Sequence, residues 1–569
     1  MNTSTHTDSN PKILIAGAGP SGLVLALALR RLGISVRIIE KAPTPALGQR
    51  GFGIQPRTQE LFHALGVLAD IQKHARSLPP MRSYVLPGGI VPLKTFHMTP
   101  VVDPTPDRPF VELLTLGQDV LEGVLRAALK ETYSCEVEFE TQLVSFTQDA
   151  GGVDAVIVKG DAVPGQDDTQ RFDFLVGADG ARGIVRKHLG LSFLGESRPS
   201  VKFIIADVRV EGIDEDHWHL WGDPKADSVL LRPTGIPGLF GLVVILAGSD
   251  IDYETVMKDH TVLQNTINTI TGRLDLNLTE VVWIRQWTPN IRMTDTFSVG
   301  RCFLVGDAAH VHSPTGGQGL NTSAQDSFNL AWKLALVVQS YAPMTLLDSY
   351  NDERLPVIAE MLQKSTGLLD KTVGETNITG DTSRWDRGGA LLMFDINYRW
   401  SPIVVNEQVE DRDDTTTPAA PRDPYGTYNN GLKAGDRAPD ASELRDIPGG
   451  TVGLFNDVFD FSCHTVLVFS AATDPERYDA LLTQLARYPR GLVRCVAVLT
   501  AGAGTSGEKI ARVGTGIRVL EDTKGHAYAS YHGRFEGGCD IVAVRPDGII
   551  GAAVRSPEAL ERYFAQIFA

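Results

Sequence analysis

The sequence predicts an α/β protein: a Rossmann-like dinucleotide-binding domain that carries an inserted antiparallel sheet and is followed by a small, separate α/β domain. Three observations point there. Lys12 to Lys41 reads as strand, glycine turn, helix and second strand, with glycines at 17, 19 and 22. Residues 198–287 alternate polar and apolar with few helical stretches, the pattern of a mostly antiparallel sheet. Past a run rich in Asp, Thr, Pro and Asn between Glu407 and Ala441, too polar for a core and read as a linker, strand-like and helical stretches alternate again. A chain of 569 residues is too long for one core, and length alone suggests about three or four domains.

The first unit is the most specific. Ile13 to Ala16 is an apolar strand. Gly17 permits the tight turn, Gly19 lets the backbone approach a pyrophosphate, Gly22 lets the helix lie close on the strand, and the helix N-terminus offers amides to the anion. Glu40, 18 residues beyond Gly22, ends the second strand where a carboxylate accepts ribose hydroxyl hydrogens. The pattern alone does not separate NAD from FAD.

Leu47 to Gln55 is a glycine-rich loop flanked by Arg50 and Arg57, leading into a helix near Pro56. An arginine facing inward there could clamp phosphate, although a surface arginine is commoner. Pro79 to Pro109 is proline-rich with strand-like pieces, an excursion from the parallel sheet. Leu121, Val124, Leu125 and Ala128 recur at helical spacing, with Gln118 at that helix's start. Strands are expected at Val137 to Phe146 and Val153 to Val158, with Gly160 to Gln170 a polar turn. Phe174 to Gly177 reads as a buried strand followed by Asp179, a residue suited to a cofactor hydroxyl and, taken alone, more often a helix cap.

His217, Trp218, His219 and Trp221 cluster inside the inserted sheet. The α/β pattern resumes at Cys302 to Val305. Asp307 ends that strand, and Gly316, Gly317 and Gly319 precede a helix running through Val338, a second place for a polar, partly anionic group. A further helix spans Leu346 to about Leu362, interrupted at Pro356. In the last domain, Thr465 to Ser470, Val493 to Leu499, Ile541 to Val544 and Ile549 to Gly551 are strand-like, with helices at Tyr478 to Tyr488 and Pro557 to Phe568.

Composition narrows the function. A net charge of -16 argues against nucleic acid, whose phosphates are bound by basic surface. Five scattered cysteines form no CxxC and no cluster at metal-ligand spacing, so neither a disulfide framework nor a metal site is expected. The first eleven residues lack a signal-peptide layout, and no apolar run reaches the roughly 18 residues of a membrane span. The expected location is cytoplasmic.

Three motifs in order, Gly17-Ala18-Gly19-Pro20-Ser21-Gly22, Gly177-Ala178-Asp179-Gly180 and Gly306-Asp307-Ala308-Ala309-His310, resemble those of the single-component FAD-dependent aromatic hydroxylases. His312, Pro314, Gly316-Gly317-Gln318-Gly319, Asn321 and Gln325-Asp326 look like the phenol-hydroxylase branch, and the tail from Lys433-Ala434-Gly435-Asp436-Arg437-Ala438-Pro439 resembles that branch's thioredoxin-like domain. The resemblance implies FAD held by Gly17, Gly19, Ser21, Gly22, Glu40 and Lys41, with Arg50 and Gln118 near the pyrophosphate and ribityl chain and Asp307 on ribityl hydroxyls or a pyrophosphate water. Backbone amides around Gly317, Gly319, Leu320 and Asn321 would hold the flavin pyrimidine. Asp179 would also meet NAD(P)H, NADPH being favoured, bound transiently. Three departures stand out: Gly183 where the family usually has Ser, Phe52 where the branch often carries an acid, and a C-terminal domain without CxxC.

The resemblance further implies a FAD-binding domain made of residues 1–85, 110–197 and 288–372, a substrate domain of 86–109 and 198–287, a helical segment and linker at 373–432, and the thioredoxin-like domain at 433–569. The implied reaction is hydroxylation of a phenolic or related aromatic substrate by O2 through a flavin C4a-hydroperoxide, in a homodimer. Pro314 would shape the substrate side of the flavin. His217, His219 and Tyr253 are candidate substrate-activating bases, although such residues are more often structural, and Arg232 could meet an acidic substrate. The same chemistry also serves epoxidation, Baeyer-Villiger insertion or oxidative rearrangement. A flavoprotein redox sensor, the reading from another class, would bind FAD without substrate-stimulated NAD(P)H oxidation.

Overall fold

The computed structural model describes residues 11–49, 51–160, 168–247, 252–313, 315–373, 385–407, 422–426, 431–447, 449–469, 475–502, 517–535 and 539–569. Four-residue runs of Ile, Leu, Val, Ala and Phe build the centre of the first layer. Ile13–Ala16 lies parallel to both Phe174–Gly177 and Val36–Ile39, and Cys302–Leu304 continues the sheet beyond Phe174–Gly177. Val137–Glu138 and Ser298–Val299 complete six strands at the two edges. Strands buried on both faces read as continuous apolar runs, and the helices Pro20–Arg31, Gln118–Tyr133 and Gly319–Val338 cover them. A three-stranded antiparallel sheet, Thr141–Asp149, Gly152–Lys159 and Asp168–Phe172, packs alongside.

The alternating stretch forms a seven-stranded sheet. Its order is Asn277–Trp287, Phe203–Glu211, Leu239–Leu246, Asp227–Pro233, Trp218–Gly222, Met81–Tyr84 and Pro92–Phe96, so strands from the proline-rich excursion extend it. All pairs are antiparallel except Trp218–Gly222 with Met81–Tyr84. One face buries Ile204, Ala206, Val208, Leu242 and Val244 against the helices Tyr253–Lys258 and His260–Thr271. The other face looks toward the Rossmann-like domain.

Pro356 does not interrupt its helix, which runs unbroken over Asp348–Val373. Proline cannot donate to the carbonyl four residues back. That carbonyl, of Asp352, instead accepts the Trp400 indole N–H at 2.7 Å, so the turn loses no hydrogen bond.

The linker expectation also needs correction. Residues 408–421 and 427–430 lie outside the described residues, but Tyr425, Leu432, Ala434, Ala438 and Ala441 are buried. A polar stretch cannot make its own core, yet Leu432, Ala434, Ala438 and Ala441 join the core of the C-terminal domain and Tyr425 joins that of the first. The last domain is an eight-stranded sheet in the order Val405–Asn406, Ile550–Val554, Ile541–Val544, His464–Phe469, Val493–Thr500, Ile517–Asp522, Leu444–Ile447 and Thr451–Val452. Trp332 and Leu336, on the outer face of Gly319–Val338, enter the same core as Val466, Ala559 and Tyr563. The helix whose first turn meets the candidate site is therefore clamped at its far end by the C-terminal domain.

Candidate active site

Three element ends converge beyond the parallel strands: the start of Pro20–Arg31, the turn Gly306–Ala308 and the start of Gly319–Val338. A Cβ on Gly306 would stand 2.2 Å from Ser21 Oγ and 2.8 Å from Ser323 Oγ, so this approach requires glycine. The glycines of the first motif divide their roles. A Cβ on Gly17 would meet Ala178 O at 2.3 Å and one on Gly22 would meet Gly17 O at 2.1 Å, whereas one on Gly19 would meet nothing within 4 Å. Gly17 and Gly22 serve packing, and Gly19 presents bare backbone to open space, as close approach of a pyrophosphate requires. No side chain caps the helix that follows, leaving its first amides for an anion.

Glu40 ends its strand with one carboxylate oxygen accepting Ala18 N–H at 3.1 Å and the other accepting Ala42 N–H at 2.9 Å. Each oxygen keeps acceptor capacity for a hydroxyl. Lys41 beside it is exposed. Asp307 reaches solvent between buried neighbours on both sides, and desolvation by the surrounding protein raises its carboxyl although His310 pulls the other way. Gly316 and Gly317 both adopt positive φ, +95° and +62°, to turn the chain into Gly319–Val338, whose first amides (Gly319, Leu320, Asn321) have no side-chain cap. These donors and acceptors fit FAD: open backbone for the pyrophosphate, carboxylates for hydroxyls, and amides for the pyrimidine carbonyls.

Other expected residues play parts that sequence did not assign. The Asn321 side chain is fully occupied with Gln55, Gly53 and Gly317. Gln118 braces the loop, its N–H donating to Gly51 O at 2.9 Å and its side-chain amide to Glu122 at 2.9 Å. Asp179 Oδ2 accepts Ile184 N–H at 2.6 Å and Val185 N–H at 3.1 Å, capping Ile184–His188. A Cβ on Gly183 would stand 2.0 Å from Asp179 Oδ1, so glycine in place of the family's serine makes room for this carboxylate rather than weakening the cap. Arg57 clamps no phosphate: it is buried, bonded to Glu60 at 2.7 Å and to Asp547 O of the C-terminal domain at 2.9 Å. Arg50 and Pro314 lie outside the described residues.

Between the Gly316–Gly317 turn and the inner face of the seven-stranded sheet lies a cavity of about 180 Å³. Its walls are mainly apolar, with Met98, Leu113, Phe203, Trp218 and Trp385 among them, and its charged lining groups are Asp207, Arg232 and Arg387. Arg232 is 4% exposed. Its guanidinium lies 3.9 Å from the centre of the Phe52 ring and donates to Gln49 Oε1 at 2.7 Å, while burial lowers its pKa to about 10 and nearby Asp207 opposes that shift. It stays charged at neutral pH.

The other base candidates are committed elsewhere. His219 is fully buried, with Nδ1 2.6 Å from Tyr84 Oη and Nε2 2.9 Å from Asp214 O. His217 bonds Asp214 at 2.8 Å. Tyr253 Oη accepts Leu246 N–H and donates to Lys202 O, both at 3.0 Å, tying a helix to the sheet. None of the three lines the cavity; Asp207, which sequence reading passed over, does. The available signal was an acid at an inward position of an alternating strand, since Phe203, Ile205 and Asp207 share a face.

Residues 10–365 match a family model described as FAD binding domain. The chain is 35% identical over 482 residues to a flavin-dependent monooxygenase of Mycobacteroides abscessus, covering 84% of this chain and 92% of that protein. It is 30% identical over 507 residues to pentachlorophenol 4-monooxygenase of Sphingobium chlorophenolicum, covering 87% and 86%. Among solved structures, the flavin-dependent monooxygenase PieE with FAD and substrate superposes with a TM-score of 0.76 at 24% identity, over 98% of this chain and 100% of that one. Aklavinone-11 hydroxylase with FAD and aklavinone gives 0.74 at 24%, over 98% and 99%. These two likenesses carry the fold.

Proposed function

Since this chain belongs to the FAD-binding-domain family of flavin-dependent monooxygenases, we propose that it hydroxylates a phenolic ring, with NADPH as the preferred reductant. FAD, when bound, supplies acceptance of hydride from NAD(P)H and activation of O2. The chain's own residues hold and shape. Gly19, Ser21 and Gly22 present backbone to the pyrophosphate, Glu40 takes the ribose, Asp307 takes the ribityl hydroxyls, and the Gly319, Leu320 and Asn321 amides receive the pyrimidine.

The observation that carries the substrate class is the cavity itself. It is ring-sized and mainly apolar, and its lining includes the neighbouring charged groups Asp207 and Arg232, which Gln49 of the glycine-rich loop bridges. A phenol has that distribution of surface, a flat apolar body with one acidic hydroxyl. Pentachlorophenol, named for one relative, is such a molecule. Apolar walls also exclude the water that would otherwise quench an activated oxygen.

In the C-terminal domain, two parallel strands (His464–Phe469, Val493–Thr500), an antiparallel pair (Ile541–Val544, Ile550–Val554) and a closing helix support the thioredoxin-like reading. Its three thiols are buried, and burial pushes Cys463 up to about 11 and Cys495 and Cys539 each up to about 12, which disfavours the reactive thiolate. The resemblance supports a homodimer, which sedimentation velocity checks.

The test of the function is oxidation of NADH and of NADPH by the purified flavoprotein across a panel of phenols, hydroxybenzoates and polyphenols, with products identified by mass. Phenol-stimulated oxidation giving a product with one added oxygen is the expected result. FAD-containing protein that no phenol stimulates contradicts the substrate class.

A further inference from the structure

Asp207, Gly241 and Arg232 form a row across three neighbouring strands. Asp207 is in register with Gly241, and Gly241 with Arg232. All three lie on the cavity face, together with Phe203, Ile205 and Val243. A Cβ at 241 would stand 2.8 Å from an Arg232 terminal nitrogen, so the missing side chain makes room for the guanidinium over the middle strand, on the side of Asp207.

Gln49 ties the row to the glycine-rich loop. Its N–H donates to Asp207 Oδ2 at 2.7 Å and its Oε1 accepts from Arg232 at 2.7 Å, leaving Asp207 Oδ1 for a ligand. Phe52 occupies the loop position where a carboxylate was expected, and its ring covers Arg232. The acid is therefore absent from the loop and present on the sheet, bonded to that loop's Gln49.

Building on the phenol reading above, we propose that Asp207 is the base that takes the phenolic proton, with Arg232 as the cation that offsets charge on the phenolic oxygen. As a ring carbon forms its new C–O bond to one atom of O2, whose O–O bond breaks and whose other atom leaves as water with two electrons that NAD(P)H supplies through the family's flavin, the phenolic O–H bond breaks. Its electron pair becomes a ring C=O and its proton passes to the Asp207 carboxylate. When the hydroxylated carbon loses its hydrogen as a proton to solvent, Asp207 returns its proton to the carbonyl oxygen and the ring regains aromaticity as a diol.

The surroundings suit the role. Burial raises the Asp207 carboxyl, the Gln49 amide and Arg232 pull it down, and Asp119 pushes it up. From the adjacent strand Trp283 faces it in register, with Arg285 nearby on the Trp283 ring, and Arg387 stands in the cavity wall. A carboxylate raised in this way is a stronger base than one in water, and Gln49 bridges it to the nearby Arg232 cation.

The test compares wild-type, Asp207→Asn and Asp207→Glu holoenzymes on phenols of graded acidity. Asparagine keeps the size and the Gln49 contact but cannot take a proton. Product formation is expected to fall about a hundredfold for weakly acidic phenols. The loss shrinks for nitrophenols, which ionise unaided, and glutamate restores part of the rate. An equal loss for every phenol, or none, overturns the assignment.

A second readout needs no turnover. With 4-nitrophenol added to oxidised holoenzyme, Asp207 opposes a second negative charge, so the yellow phenolate band fades on binding to wild type. It persists on binding to Asp207→Asn, where Arg232 alone faces the oxygen. The same colour change with both proteins overturns the proposal for Asp207. Failure of every phenol to stimulate the wild type overturns the phenol reading instead.

Discussion

Asn321 Oδ1 accepts the Gln55 N–H at 2.8 Å, joining the first turn of Gly319–Val338 to the glycine-rich loop that lines the cavity. The same side chain donates to Gly53 O at 2.9 Å and Gly317 O at 2.6 Å. One buried amide thus ties the glycine turn that starts Gly319–Val338 to the glycine-rich loop, and both line the cavity. Asn321→Ala removes the partner of two buried backbone groups, Gln55 N–H and Gly53 O, and of the half-buried Gly317 O, at about 1 kcal/mol or more for each buried one. The expected result is a loss of about 3 kcal/mol in chemical unfolding, and protein that purifies with less FAD.

The glycines of the first motif separate folding from binding. Gly19→Ala adds a methyl group where the chain places nothing within 4 Å, so its melting temperature without FAD should match wild type while FAD binds at least about tenfold more weakly, or about 1.4 kcal/mol. Gly22→Ala meets a backbone oxygen at 2.1 Å and should destabilise the apoprotein itself. Flavin titration and apoprotein melting on the two variants distinguish these outcomes.

His219 makes stability depend on acid. Burial lowers its pKa from 6.5 to about 4, although the Asp214 carbonyl and carboxylate favour the charged form. Its folded pKa is below its unfolded one, so the unfolded chain binds the extra proton. Stability is complete above pH 6.5 and drains as pH falls toward 4. The loss at the lower end is roughly 3 kcal/mol. Unfolding free energies of wild type and His219→Gln between those pH values should differ in slope by close to one proton.

The C-terminal domain is held by charge as well as by apolar contact. Arg545 meets Glu353 at 2.6 and 3.0 Å, and Lys333 joins at 2.8 Å, with both Glu353 and Arg545 fully buried. Burial works against the Glu353 carboxylate, but Arg545 and Lys333 outweigh it and hold its pKa well below the usual range. Arg545→Met leaves the buried Glu353 carboxylate with Lys333 as its remaining cation and takes the Asp547 carboxylate's arginine partner away, and should cost about 3 kcal/mol in urea unfolding.

Much of this was legible in the sequence because it depends on local chemistry. Gly17, Gly19 and Gly22 carry their roles in their spacing, and the 198–287 sheet shows itself by alternation. Long-range partners were not legible. Nothing in the order of residues says that Trp400 will satisfy the carbonyl freed by Pro356, or that Arg57 will turn to the C-terminal domain instead of a phosphate. His217 and His219 drew attention as residue types, yet both nitrogens of His219 are spent on Tyr84 and Asp214, and His217 turns to Asp214 outside the cavity. Asp207, plainer in sequence, faces the cavity because strand register puts it in line with Arg232.

The most direct measurement of the central claim is turnover of a stimulating phenol under heavy-oxygen O2, followed by mass analysis of the product. The structure predicts that one oxygen atom of the product comes from O2 and that its formation requires NAD(P)H and bound FAD. A product whose added oxygen comes from water, or NAD(P)H oxidation that never yields an oxygenated ring, contradicts it.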